Sequence, residues 1–328
     1  MQATQACDLC VRFPKKSAAD YLLGARTAIL AREASFVYKP IEALKGTTPE
    51  SKIDLLVDSP TRRMLTANPT HSVLLTESPD GKWQRIGVVN ADVYPIVCKV
   101  LSSGAQWKTD PRSRISYFTG LLSHSNSQIR TLAYLEVGRA PYDEIRQMGK
   151  LIPREQIRAF LSDLQYIEWH PLYILLLAQE AEAADRATIT QSFRSAARFG
   201  LTTRLAAWST AYIEIAGEQA IDEIEKTILR DPTRTPAVLQ EVTKALSIHG
   251  THGNQQLRNR IVASYQTLVA THPEMICLVA KDLTTWKRPE LHDEVSKHLA
   301  EDHDDGDHHG DKDDDHHDDT HTTDHSQK

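Results

Sequence analysis

The chain has 328 residues, 40% of them hydrophobic, and a formal net charge of −6. Twelve acids against two lysines give the last 28 residues −10, which leaves residues 1–300 at +4. A diffuse +4 makes no basic stripe and an acidic end competes with phosphate, so nucleic-acid binding is not expected; no apolar run reaches the roughly 18 residues that span a bilayer.

The chain opens with Met1-Gln2-Ala3-Thr4-Gln5-Ala6-Cys7-Asp8-Leu9-Cys10, which lacks the apolar core of a signal peptide. Thr4-Gln5-Ala6 resembles the small-x-small end of a cleavage site, so removal of a secretory signal near Cys7 is expected. Four cysteines are present: Cys7, Cys10, Cys98 and Cys277. Cys7-x-x-Cys10 is compatible with a redox pair, half a zinc site or the ends of two disulfides, and in a secreted protein a bridge to Cys98 would be natural. Cys277 is expected as a buried free thiol on the apolar face of a helix.

Residues 7–104 read as β. Short apolar or alternating segments fall at 20–30, 36–45, 52–57, 71–76, 83–89 and 93–97, separated by turn residues. Pro79-Asp80-Gly81 is a hairpin signal, because Pro presets φ and Gly accepts a positive φ. Five or six short strands in this span predict a small barrel.

From Asp110-Pro111, an N-cap followed by Pro in the first turn, the period changes to that of helices. Ile129, Leu132 and Ala133 form one apolar stripe, and 172–178 reads as part of a buried helix. Leu205, Trp208, Tyr212 and Ile215 form another, followed by Ile221, Ile224 and Ile228. Val238, Val242 and Leu246, then Leu257, Ile261, Tyr265 and Leu268, then Ile276, Val279, Leu283 and Trp286 complete the series. Helices of about 10 to 14 residues joined by short turns, without an exact repeat, predict an α-solenoid. His249-Gly250-Thr251-His252-Gly253 is read as a polar interhelical turn, and Trp169-His170-Pro171 as a helix start with a half-buried His.

Residues 301–328 contain seven His and no apolar residue. Such a segment has nothing to bury against the entropy of ordering and is expected to be disordered. Imidazoles among carboxylates suit Zn, Ni or Cu. The candidate ligands are His303, His308, His309, His316, His317, His321 and His325 with Asp304, Asp307, Asp311 and Asp315. Without a rigid backbone between them, they suit storage or delivery of metal better than catalysis.

Two resemblances add to this. Cys7-x-x-Cys10, Ala19-Asp20-Tyr21-Leu22-Leu23-Gly24, Ile41-Glu42-Ala43-Leu44-Lys45-Gly46 and Ser72-Val73-Leu74-Leu75-Thr76 resemble a netrin-type or tissue-inhibitor-of-metalloproteinase-like OB barrel. The pattern departs from that family in its Cys-x-x-Cys spacing and in lacking one Cys partner. Arg114 to Phe118, Ala133 to Tyr142 and Asp282 to Trp286 resemble the HEAT-like part of uncharacterised secreted bacterial proteins of the planctomycete kind. Together they imply an α+β multidomain chain: an OB-like β-barrel over 7–104, a HEAT-like α-solenoid over 110–299 and a disordered tail over 300–328. They imply an extracytoplasmic location and no particular chemistry. In the inhibitors, the amine and carbonyl of an N-terminal Cys chelate a protease zinc, a role the resemblance would give Cys7.

No nucleophile elbow, P-loop, dinucleotide fingerprint or His-Glu-x-x-His motif is present, so no enzyme is expected. The expected function is a non-catalytic extracytoplasmic binding protein, with a protein partner on the helical array and divalent metal on the tail. The alternatives are a metalloprotease-inhibitor-like module and a metal-delivery accessory using Cys7 and Cys10.

Overall fold

A computed structural model describes residues 14–148, 151–291, 293, 295 and 296. It is α+β, with a four-stranded antiparallel sheet followed by a long succession of helices.

The first element is a helix, α1 (Ala18–Gly24), where the sequence suggested the start of a strand. The reason is local. Ser17 Oγ accepts from Asp20 N at 3.1 Å and Asp20 Oδ2 accepts from Ser17 N at 3.0 Å, a reciprocal capping box. Ala19 and Leu22, three apart, turn to one face and are buried. Strand β1 (Thr27–Ala34) then turns directly into β2 (Val37–Lys45). Ser35 and Phe36 both take positive φ, 59° and 69°, the geometry that a tight two-residue hairpin needs. Pro40 is tolerated in β2 because that strand lies at the sheet edge.

The segment 52–57 does not add a strand. Ile53 makes one isolated bridge to Tyr38, and the chain then enters α2 (Ser59–Ala67), capped by Asp58. Strands β3 (Ser72–Glu77) and β4 (Trp83–Val89) form the expected hairpin, with Gly81 at φ 82° in its turn. The sheet order is β2-β1-β3-β4.

The last expected strand, 93–97, is the opening turn of α3 (Val93–Thr109). Its valines were misleading as β-formers. Val93, Val97 and Val100 recur at helical spacing and all are buried, so tertiary packing overrides their local preference. The barrel of five or six strands is thereby corrected to four strands flanked by helices.

After α3 come α4 (Pro111–Thr119), α5 (Ser127–Val137), α6 (Tyr142–Met148), α7 (Arg154–Ser162), α8 (His170–Ala178) and α9 (Ala183–Phe199). Next are α10 (Leu205–Ala216), α11 (Glu218–Ile224), α12 (Pro236–His252), α13 (Gln255–Thr271) and α14 (Cys277–Thr285). All nine residues of α8 are buried, as expected of an all-round apolar helix. Helix α10 packs against α8, α9 and α12.

Period two divides the sheet's side chains between two cores. Ala28, Leu30, Leu74 and Val89 join the helices in one continuous apolar core. Ile29, Ala31, Val73 and Leu75 face the other way, onto Tyr38, Ile53, Val57 and Leu65. The boundary expected at 104–110 falls at the end of α3, and the main core runs on through it.

Candidate functional site

The sheet and the helices do not meet flush. Between β3, β4, α1, α3 and α5 lies a cavity of about 290 Å³, whose wall includes Leu22, Leu74, Val89, Val97, Val100 and Leu132. Helix α5 supplies its polar edge. Gln128, Leu132 and Glu136 are each four residues apart, so all three project onto one face of the helix. Gln128 Nε2 donates to Val88 O at 2.6 Å, tying α5 to β4. Thr131 Oγ donates to Ser127 O at 3.0 Å.

Behind Glu136 stands an ion network that joins α1, α4 and α5. Arg114 donates from Nε at 3.0 Å and from Nη2 at 2.7 Å to Glu136 Oε2, and Nη2 also reaches Asp20 Oδ1 at 2.7 Å. Arg139 donates to Asp20 Oδ2 at 2.6 Å and to Lys15 O at 2.9 Å. Two guanidinium groups thus balance two carboxylates. The acids respond differently. Burial acts to raise Asp20, but the Ser17 amide and both arginines outweigh it and bring its pKa down to about 2. Burial wins at Glu136, whose pKa is raised despite the Arg114 guanidinium beside it.

A second cluster sits where α6, α10 and α12 meet. Glu214 accepts from Tyr142 Oη at 2.9 Å and from Arg146 Nε and Nη2 at 3.1 and 2.9 Å. His249 Nε2 lies 2.9 Å from Thr210 O; a carbonyl only accepts, so this nitrogen carries the proton. Burial lowers the His249 pKa to about 4. His252 Nδ1 lies 2.8 Å from Asp143 Oδ2. Arg146, Glu214 and His249 border a cleft of about 650 Å³ with Gln219, Asn254 and Gln256 on its wall. His249 and His252 lie in the last turn of α12 rather than in a loop, and they do not converge. Among the described residues no group of three or more His, Cys, Asp or Glu is placed to hold a metal ion.

The sequence candidates fall mostly elsewhere. His303, His308, His309, His316, His317, His321, His325, Asp304, Asp307, Asp311 and Asp315 lie outside the described residues, as do Cys7 and Cys10. Cys98 is a free, half-buried thiol on α3. Cys277 is exposed, not buried: the buried stripe of α14 is Val279, Ala280 and Leu283, and Cys277 lies off that face. His170 does open a helix but is buried, with Nε2 at 3.1 Å from Asp163 O and Nδ1 at 2.7 Å from Arg204 Nη1. The cavity and its network were not foreseen. Ser17-x-x-Asp20 was the available signal for α1, and Gln128, Leu132 and Glu136 for a polar edge along α5. No family model, curated protein or solved structure matches the chain.

Proposed function

We propose that the chain is a non-catalytic extracytoplasmic binding protein whose folded body takes up a small apolar ligand. The observation that supports this is the cavity of about 290 Å³ between sheet and helices, which is apolar except for one edge, as small-molecule sites are. On this reading the sheet is the remnant of an OB-like barrel and the helices act as a HEAT-like array whose outer surface is open to a protein partner. The test is titration of 1-octanol into the full chain while methyl resonances are followed. Saturable shifts centred on Val97, Val100 and Leu132 are expected. Shifts that never saturate, or that gather elsewhere, would refute the reading.

A second role, sequestration of Zn, Ni or Cu by the tail, is favoured by the seven His among twelve acids in residues 301–328. Calorimetric titration should show several ions bound by the full chain and none by a chain ending at Ala300. The binding should weaken below about pH 6 as imidazole protonates. Equal binding by both chains would move the metal site into the body and sink the tail reading.

A further inference from the structure

The cavity's polar edge offers a hydrogen-bond acceptor in the Glu136 carboxylate. Among the residues that line it, Glu136 alone is charged, and its side chain is only 7% exposed. A carboxylate offers about four acceptor positions. Arg114 Nε and Nη2 both donate to Oε2, which leaves acceptor positions open on the carboxylate. Gln128 Nε2 donates to Val88 O and Thr131 Oγ to Ser127 O, so the Thr131 hydroxyl has already spent its proton. The group on this wall with acceptor capacity and no donor of its own is therefore the Glu136 carboxylate.

Charge selects further. Arg114 and Arg139 already balance Asp20 and Glu136, so an ionised headgroup would enter desolvated and without a counter-charge. A carboxylate ligand would meet Glu136 as a like charge, and an ammonium would meet the Arg114 guanidinium behind it. A neutral hydroxyl brings a donor to the Glu136 carboxylate and leaves the balance intact. At about 30 Å³ for each small group, the share a water molecule takes in the liquid, the cavity has room for roughly ten non-hydrogen atoms.

We propose that the ligand is a small apolar alcohol or phenol, its hydrocarbon body among Val97, Val100 and Leu132 and its hydroxyl donating to the Glu136 carboxylate. This rests on the reading of the cavity as a ligand site. The hydroxyl is recognised because any isostere without a donor leaves the carboxylate and its own oxygen facing each other unpaired, which at the largely buried Glu136 costs more than a missing methylene.

The test uses the full chain and three probes of similar size: 1-octanol, its isomer heptyl methyl ether, and octanoate. Calorimetry with 1-octanol should give one site. The ether should bind at least about tenfold more weakly and octanoate should not compete. Glu136→Leu should bring alcohol and ether to within about twofold of each other while both still bind. Equal affinity of wild-type protein for alcohol and ether, or tighter binding of octanoate, would overturn the hydroxyl assignment but leave the cavity reading standing. A tenfold preference that survives Glu136→Leu would overturn Glu136 as the recognising group. Failure of all three probes to bind the wild-type chain would overturn the cavity reading itself. The wild-type series decides the matter even if the substituted chain does not fold.

Discussion

The junction of α3 and α5 with the sheet and the interior around α8 are made of the same aliphatic chemistry, yet one encloses a cavity and the other is filled. Side-chain volume makes the difference. Around α8 the space is taken up by large groups: Phe160 stacks on Tyr173 at 4.8 Å between ring centroids, and Phe193 on Tyr212 at 4.9 Å. The wall of the cavity carries one aromatic ring, Phe118, and includes Ala18, Ala19 and Gly87. Interiors normally reach the packing density of organic crystals, and room left unfilled here is the observation on which the proposed ligand site rests. Hydrophobicity alone does not distinguish the two regions; size does.

The sharpest way to break the comparison is to shorten one side chain in the filled region. Leu175 is fully buried in α8. Leu175→Ala should cost about 3–4 kcal/mol, read as a fall in the urea midpoint without a change in slope. A loss below about 1 kcal/mol would mean that the α8 interior has slack like the cavity's.

Protonation probes the same interior. His249 is held neutral, with its pKa lowered by burial from 6.5 to about 4. A depressed histidine binds its proton in the unfolded chain before it does so in the folded one. Its contribution is therefore complete above pH 6.5 and is lost as pH falls through the window from 6.5 to about 4. The loss should be roughly 3 kcal/mol across that window, at 1.36 kcal/mol for each pKa unit. Carboxylates that titrate in the same window, such as Glu136 with its raised pKa, contribute alike to both chains compared and cancel. Urea melts of the wild-type chain and of His249→Gln at pH 7 and pH 4 measure it as the difference between the two chains. A difference of zero would show that His249 protonates in place, with water reaching the ring.

The smallest expected effect is also the most specific to the cavity. Val97→Leu adds one methylene towards unfilled space. It should raise stability by about 0.5 kcal/mol, as modest cavity filling does, and weaken 1-octanol binding. A loss of more than about 1 kcal/mol would show that the wall at Val97 is already closed, since overpacking costs that much or more.

Most of the helical half was legible because long segments repeat the helical period many times. The stripes at Leu205, Tyr212, Val238, Leu246, Ile261 and Leu268 all became buried faces. The hairpin at 79–81 was legible because its turn chemistry is local. The N-terminal part was read less well. Ala19 to Leu23 and Val93 to Val97 are too short for periodicity to separate strand from helix, and only packing against the sheet decided them. The ion network could not be read at all, since Asp20, Arg114, Glu136 and Arg139 are brought together from three helices and a loop.

Local chemistry in the sequence therefore determined the capped helix starts at Asp110 and Asn126, the β3–β4 turn, the all-buried character of α8 and the charge imbalance between body and tail. Each depends on neighbours within a few positions along the chain. Tertiary structure alone decided that the sheet divides two cores, that α3 lies on one of them as a helix, and that a carboxylate on α5 faces a cavity within that same core. Those features depend on volumes and charges contributed by segments far apart in sequence, and no local pattern encodes how such segments fill a shared space.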